Sequence, residues 1–145
     1  MNEFNLRDKV AVITGGGGVI CSVMAKALAD QGVKCAILDL NREAADKVAG
    51  EIEKEFGIHS IGLSANVLDK AALLAAKTEI NDKLGPIDIL INGAGGNSPA
   101  GTTKVEKMEG TDNENIEDTF FGLQIEGFEK VFDINFKGTL IPTIV

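Results

Sequence analysis

Short, wholly apolar runs alternate along this chain with longer stretches whose apolar residues recur every three or four positions. Residues 9–14, KVAVIT, form the first run: β-branched, polar before it and followed by four glycines, the pattern of a strand covered on both faces. Over 19–31 the apolar positions Ile20, Val23, Met24, Ala27 and Leu28 make a helical stripe that stops at Gly32, a natural helix terminator. That stripe is expected to be the helix's inner face. Residues 33–40, VKCAILDL, read as a second buried strand. Asn41 is placed to cap a helix with Ala45, Val48, Ile52 and Phe56 inside and Gly57 at its end. A weaker strand spans 60–65, with Ile61 and Leu63 on one side. Asp69 caps a third helix with Leu73, Ala76, Lys77, Ile80 and Leu84 on one face, ended by Gly85-Pro86. Residues 87–91, IDILI, supply the fourth strand.

Strands separated by helices of this length are joined by right-handed crossovers, so they lie parallel with helices on both faces. The expected fold is a doubly wound α/β parallel sheet of the Rossmann kind. Residues 93–115 break the rhythm: they are rich in Gly, Thr, Asn and Glu and carry no periodicity. They also exceed the about 12–15 residues beyond which structureless loops are uncommon in compact domains. A loop of that length is usually functional or disordered. After it Phe120, Phe121, Leu123, Ile125, Phe128, Val131 and Phe132 return to helical spacing, which runs on to Val145. A dinucleotide fold normally has two βαβαβ halves. Residues 1–145 therefore read as a single domain, truncated after the helix that follows strand four and belonging to a longer protein.

The 22 acidic residues outnumber the 14 basic ones, for a formal charge of −8, and no run of Lys or Arg offers a match for phosphate backbones. Nucleic acid and anionic membranes are not expected partners. Cys21 and Cys35 are too few for a disulfide framework and too scattered for a metal site, so no metal is expected. The first residues, MNEFNLRDK, lack the apolar core of a signal peptide, and the apolar runs are too short to span a bilayer. The expectation is a cytoplasmic protein with reduced thiols.

The turn 14–20, TGGGGVI, lies where a strand ends and a helix begins. Unsatisfied backbone N–H groups and the positive end of the helix dipole favour an anion there, and glycines let a diphosphate approach the backbone. A glycine string alone also suits a turn that binds nothing; its place between strand and helix favours phosphate. Gly15, Gly17, Gly18, Val19 and Ile20 are the candidate contacts. Asp39, with Leu40 beside it, closes the second strand at the same edge of the sheet. A carboxylate there accepts hydrogen bonds from a ribose diol and repels a 2′-phosphate, so NAD is expected over NADP, with Arg42 the nearby group able to offset that repulsion. Otherwise Asp39 is a solvated or helix-capping acid.

Together these features resemble the short-chain dehydrogenase/reductase family. Its glycine motif, Thr-Gly-x-x-x-Gly-x-Gly, is met by Thr14 and Gly15, while Val19 and Cys21 stand where the last two glycines fall; Gly17 and Gly18 are expected to supply the close approach instead. Asn92-Gly93-Ala94-Gly95 matches the family's Asn-Asn-Ala-Gly after strand four in three residues of four, and Asn66-Val67 stands where its adenine-touching Asp-Val does. By this resemblance Asn66, Val67, Asn92, Ala94 and Gly95 join the candidate cofactor-binding residues, although ordinary turn chemistry at strand ends also suits them. Residues 131–138, VFDINFKG, match Val-x-x-Val-Asn-x-x-Gly. Asn135 is then implied to be the family's catalytic asparagine, whose backbone carbonyl helps hold a water beside the catalytic lysine. On composition alone it is a polar residue inside a helix. The family's general acid or base is the tyrosine of a Tyr-x-x-x-Lys pair that normally follows this helix. This chain has no tyrosine. It is expected to bind cofactor incompletely and not to turn over by itself.

Within the family, GGGGVIC at 15–21, Gly95-Gly96-Asn97 before a long insert, and FKGTLIPT at 136–143 resemble the D-mannonate oxidoreductase (fructuronate reductase) group. That resemblance implies hydride transfer between NAD(H) and a small-molecule substrate, a keto-sugar acid or polyol, in carbohydrate metabolism. Family members are commonly dimers or tetramers, so a homo-oligomer is expected of the full-length protein. Lys104 and Lys107 read as solvated loop charges. A dinucleotide-binding regulatory module without catalysis is the competing reading, and a methyltransferase does not account for residues 92–95.

Overall fold

The computed structural model describes residues 5–105, 107 and 116–145. Strands β1 (Val10–Thr14), β2 (Lys34–Asp39), β3 (Ile61–Ser64) and β4 (Ile89–Asn92) form one parallel sheet in the order β3-β2-β1-β4. Thr14 pairs with Leu38 on one side and Asn92 on the other, which brings the carboxyl ends of three strands level. Helices α1 (Val19–Asp30), α2 (Arg42–Phe56) and α3 (Lys70–Lys83) make the crossovers.

Successive side chains of a strand point to opposite faces, and here both faces are covered. Ala11, Ile13, Cys35 and Ile37 pack beneath α1 and α2 with Val48 and Ile52. Val10, Val12, Ala36 and Leu38 pack on the other face with Leu73, Ala76 and Ile80 of α3. Caps lie where the sequence puts them: Asn41 accepts the Ala44 N–H at 3.2 Å, and Asp69 accepts those of Ala71 and Ala72. Gly32, Gly57 and Gly85, which follow the three helices, all have positive φ.

The first helix corrects the periodicity reading. The residues of α1 turned inward are Cys21, Ala25 and Ala29, while Ile20, Val23 and Met24 are 71%, 64% and 44% exposed. Small side chains on the inner face allow α1 to lie close to the sheet, whereas the bulkier stripe at equal spacing would hold it away. Lys77, expected on the inner face of α3, is likewise exposed. The helical spacing that begins at Phe120 becomes a helix only from Ile125. Before that, Thr119 donates its hydroxyl to the Ile116 carbonyl at 2.6 Å and accepts the Phe121 N–H at 3.3 Å, closing short 3₁₀ turns.

Helix α4 (Ile125–Phe132) passes through a π-helical turn (Asp133–Lys137) into α5 (Gly138–Ile144). Residues 106 and 108–115 of the long loop lie outside the described residues. Its first part forms a 3₁₀ turn, Pro99–Gly101, held by the Gln124 N–H donating to the Ala100 carbonyl at 3.1 Å. Among the described residues no helix is long and apolar enough to cross a membrane, and no group of three His, Cys, Asp or Glu is placed to hold a metal ion.

Candidate functional site

The chain runs outward from β1 to β3 and then crosses back to β4, so connections diverge at the carboxyl ends of β1 and β4. Crevices at such a switch point are where open α/β sheets bind ligands. A cleft of about 540 Å³ opens there, walled by the glycine turn and the first turn of α1, by the end of β2, by residues just after β3 and β4, and by the π-helical turn.

Of the sequence candidates, Gly15, Gly18, Val19, Ile20, Asp39, Leu40, Val67, Ala94 and Gly95 line this cleft. Cys21, Ala65, Gly93 and Ile134 line it as well and were not singled out from the sequence. Gly17, Asn66 and Asn92 stand outside the lining. Gly17 sits behind the turn with its N–H donated to Asp39 Oδ2 at 3.0 Å. Asn66 turns its side-chain oxygen back to the Leu68 N–H at 2.9 Å. Asn92 donates its amide to Thr143 Oγ1 at 3.1 Å, while its Oδ1 is buried without a partner among the described residues.

The turn is shaped by contacts that leave no room for side chains. Gly15 has φ +63°, and a Cβ on it would lie 2.8 Å from the Gly93 carbonyl oxygen. A Cβ on Gly93 would strike Cys21 Sγ. Two of the departures from the family's motifs, Cys21 for a glycine and Gly93 for an asparagine, are therefore one feature: the Cys21 thiol fills the space in front of Gly93. Complementary residues far apart in sequence are invisible to a motif comparison made one segment at a time.

Thr14, wholly buried, ties this floor together. Its hydroxyl accepts the N–H groups of Gly93 at 3.1 Å and Ala94 at 3.2 Å, joining the end of β1 to the segment after β4. The N-cap of α1 is Gly18, which brings no side-chain acceptor, so the first-turn N–H groups at the cleft wall have no capping partner. No Lys or Arg is among the lining residues. An anion held there is met by backbone dipoles rather than by a cation. Burial, and after it the charge of Asp39, pushes the Cys21 thiol above its ordinary value and keeps it neutral beside those amides.

Asp39 ends β2 with both carboxylate oxygens engaged, Oδ2 by Gly17 and Oδ1 by the Asn41 N–H at 3.0 Å. Arg42 is turned along α2, its Nε donating to Asp46 at 2.8 Å. Asn135 lies in the π-helical turn. Its Nδ2 donates to the carbonyls of Gly96 and Val131, both at 2.8 Å, and its Oδ1 accepts the Gly96 N–H at 3.3 Å. The side chain thus clamps the segment that forms one cleft wall. Its backbone carbonyl accepts the Thr139 hydroxyl at 2.9 Å.

A family model for short chain dehydrogenases matches residues 9–144. This chain belongs to the short chain dehydrogenase family. It is 46% identical over 141 residues to an uncharacterized oxidoreductase of Haemophilus influenzae, an alignment covering 97% of this chain and 49% of that protein. A D-threitol dehydrogenase of Mycolicibacterium smegmatis is 34% identical over 127 residues, which cover 86% of this chain and 48% of the relative. Among solved structures, a proposed D-mannonate oxidoreductase from Haemophilus influenzae with bound NAD superposes with a TM-score of 0.90 at 46% identity, covering 97% of this chain and 50% of that one. The chain spans about half the length of the short chain dehydrogenases it matches. The parallel sheet with helices on both faces is the fold expected from the sequence.

Proposed function

We propose that this chain is the NAD-binding part of an oxidoreductase that transfers a hydride between NAD(H) and a keto-sugar acid or polyol, with D-mannonate and D-fructuronate the favoured pair. The observation that carries the reading is that Asp39 and the uncapped glycine turn face one cleft, an acid for a ribose diol beside amides for a diphosphate. The residues present fit the group. Gly15, Gly18, Val19 and Ile20 would hold the diphosphate, Asp39 the adenosine ribose, Leu40 and Val67 the adenine, and Ala94 and Gly95 the floor beside the ribose. In this reading Gly17, Asn66 and Asn92 act through the residues they position. Bound there, NAD would supply a hydride acceptor for the substrate's carbinol carbon, and NADH a hydride donor for the carbonyl.

Asn135 serves in this proposal as the organiser of the wall nearest the reacting atoms: its side chain holds Gly96 while its carbonyl faces Thr139. A general acid or base must still take up or deliver the hydroxyl proton, and no tyrosine of this chain is available to do it. The sugar-acid assignment draws on the mannonate name of one similar protein, and the polyol alternative on the threitol name of another. The whole protein is proposed to be a cytoplasmic homo-oligomer acting on a small molecule.

The test is calorimetric titration of the protein, expressed from its complete reading frame, with NADH and NADPH. A 2′-phosphate against Asp39 meets up to roughly 4 kcal/mol of repulsion per charge at 4 Å near a surface, and screening over a Debye length of about 8 Å leaves about half of that; a preference for NADH of roughly thirtyfold is expected. Equal binding of the two would overturn the assignment. For the substrate, oxidation of NADH in the presence of D-fructuronate is expected, and its absence removes that substrate.

A further inference from the structure

Gly17 does not touch the cleft, yet it has neighbours on two sides that no other residue of the turn has. Its N–H donates to Asp39 Oδ2 at 3.0 Å. A Cβ on it would lie 2.9 Å from that same oxygen and 2.8 Å from Ala44 Cβ, in the first turn of α2. The carboxylate therefore occupies the space that a side chain at position 17 would need. Oδ1 is fixed by the Asn41 N–H, so the two backbone donors hold the carboxylate in one orientation. Each carboxylate oxygen accepts more than one hydrogen bond, so one acceptor site remains free on each for a diol. The backbone of Gly17 is not in the left-handed region, so an alanine there suffers crowding without conformational strain.

We infer that Gly17 is a positioning residue that sets the cofactor preference through Asp39, by donating to the carboxylate and by leaving it room to sit over the cleft. The inference rests on the proposed reading of Asp39 as the ribose acid. It assigns to Gly17 a role different from contact with the diphosphate. Crowding at position 17 swings the carboxylate away from the diol, which costs NADH its hydrogen bonds and spares NADPH the repulsion.

The experiment is titration of Gly17→Ala with both cofactors. NADH is expected to bind about tenfold more weakly while NADPH is weakened less or strengthened, so the preference narrows about tenfold. In an Asp39→Ala background the same substitution should change neither. Equal weakening of both cofactors, or a shift in preference that persists without Asp39, overturns the inference. Should Gly17→Ala fail to fold, Gly17→Ala with Ala44→Gly removes the collision with α2, keeps the one with the carboxylate, and is held to the same outcomes. A second readout needs no cofactor. In the NMR spectrum of labelled protein, the Gly17 amide proton should be protected from hydrogen exchange and lose that protection in Asp39→Ala. An amide whose exchange is unchanged in Asp39→Ala overturns the inference. If the unaltered protein binds no NADH, the proposed function fails, and the exchange of the Gly17 amide still decides whether Gly17 holds the carboxylate.

Discussion

Replacing Thr14 by valine tests how the floor of the cleft is held. Thr14 is 0% exposed, and among the described residues its hydroxyl makes two hydrogen bonds, accepting the N–H groups of Gly93 at 3.1 Å and Ala94 at 3.2 Å. Valine keeps the shape and both branches of the side chain while removing the acceptor. Leaving a buried donor unmatched costs about 1–3 kcal/mol. The two amides here are only partly buried, which places each near the lower limit, for a total of about 2 kcal/mol and roughly a thirtyfold smaller folded-to-unfolded ratio. Thr14→Ser supplies the opposite control: it keeps the oxygen and loses a methyl, worth about 0.8 kcal/mol. Urea denaturation should rank the proteins as threonine, then serine, then valine. Hydrogen exchange at Gly93 and Ala94 should accelerate in the valine variant, and NADH affinity should fall with it. A valine variant as stable as the serine one, with unchanged exchange at both amides, would refute the assignment of this hydroxyl as the tie between β1 and β4.

Other expectations follow from contacts elsewhere in the sheet. A Cβ on Gly62 of β3 would lie 2.5 Å from the Asp46 backbone nitrogen and 2.6 Å from the Ala45 carbonyl carbon, so Gly62→Ala must push α2 off the sheet. A loss of about 2–3 kcal/mol in urea denaturation is expected. Asp88 bonds Lys9 Nζ at 2.7 Å and the Val10 N–H at 3.0 Å, and the Lys9 bond, then the Val10 N–H, hold its carboxyl below the ordinary value. A lowered folded-state value means the bond's stabilisation is complete above the unfolded carboxyl's value, about pH 4, and disappears as pH falls through the folded one. Asp88→Asn should therefore flatten the acid limb of a stability-against-pH curve and leave its slope near neutrality unchanged. Burial pushes the Cys35 thiol up to about 11, and burial also raises Cys21. Neither should react with a disulfide reagent at pH 8 in the native protein, and both should react at once in denaturant; rapid native labelling of Cys35 would contradict the packing of β2 under α1.

What the sequence determined by itself was local and repetitive. Two-sided burial of the strands wrote itself as unbroken apolar runs, the caps at Asn41 and Asp69 stood at helix starts, and Asp39 followed from its place at a strand end beside a glycine turn. Each of these depends on neighbours a few residues away, and a chain displays such neighbours directly. What only the tertiary structure decided depends on residues distant in sequence. The inner face of α1 is Cys21, Ala25 and Ala29 because the helix must approach a sheet, and periodicity alone scores the exposed Ile20, Val23 and Met24 equally well. Cys21 and Gly93 explain one another only once β4 lies beside β1. Asn135 clamps Gly96, and Gly17 meets Asp39, across gaps that no motif spans, because steric complementarity is a property of surfaces brought together by folding rather than of spacing along the chain.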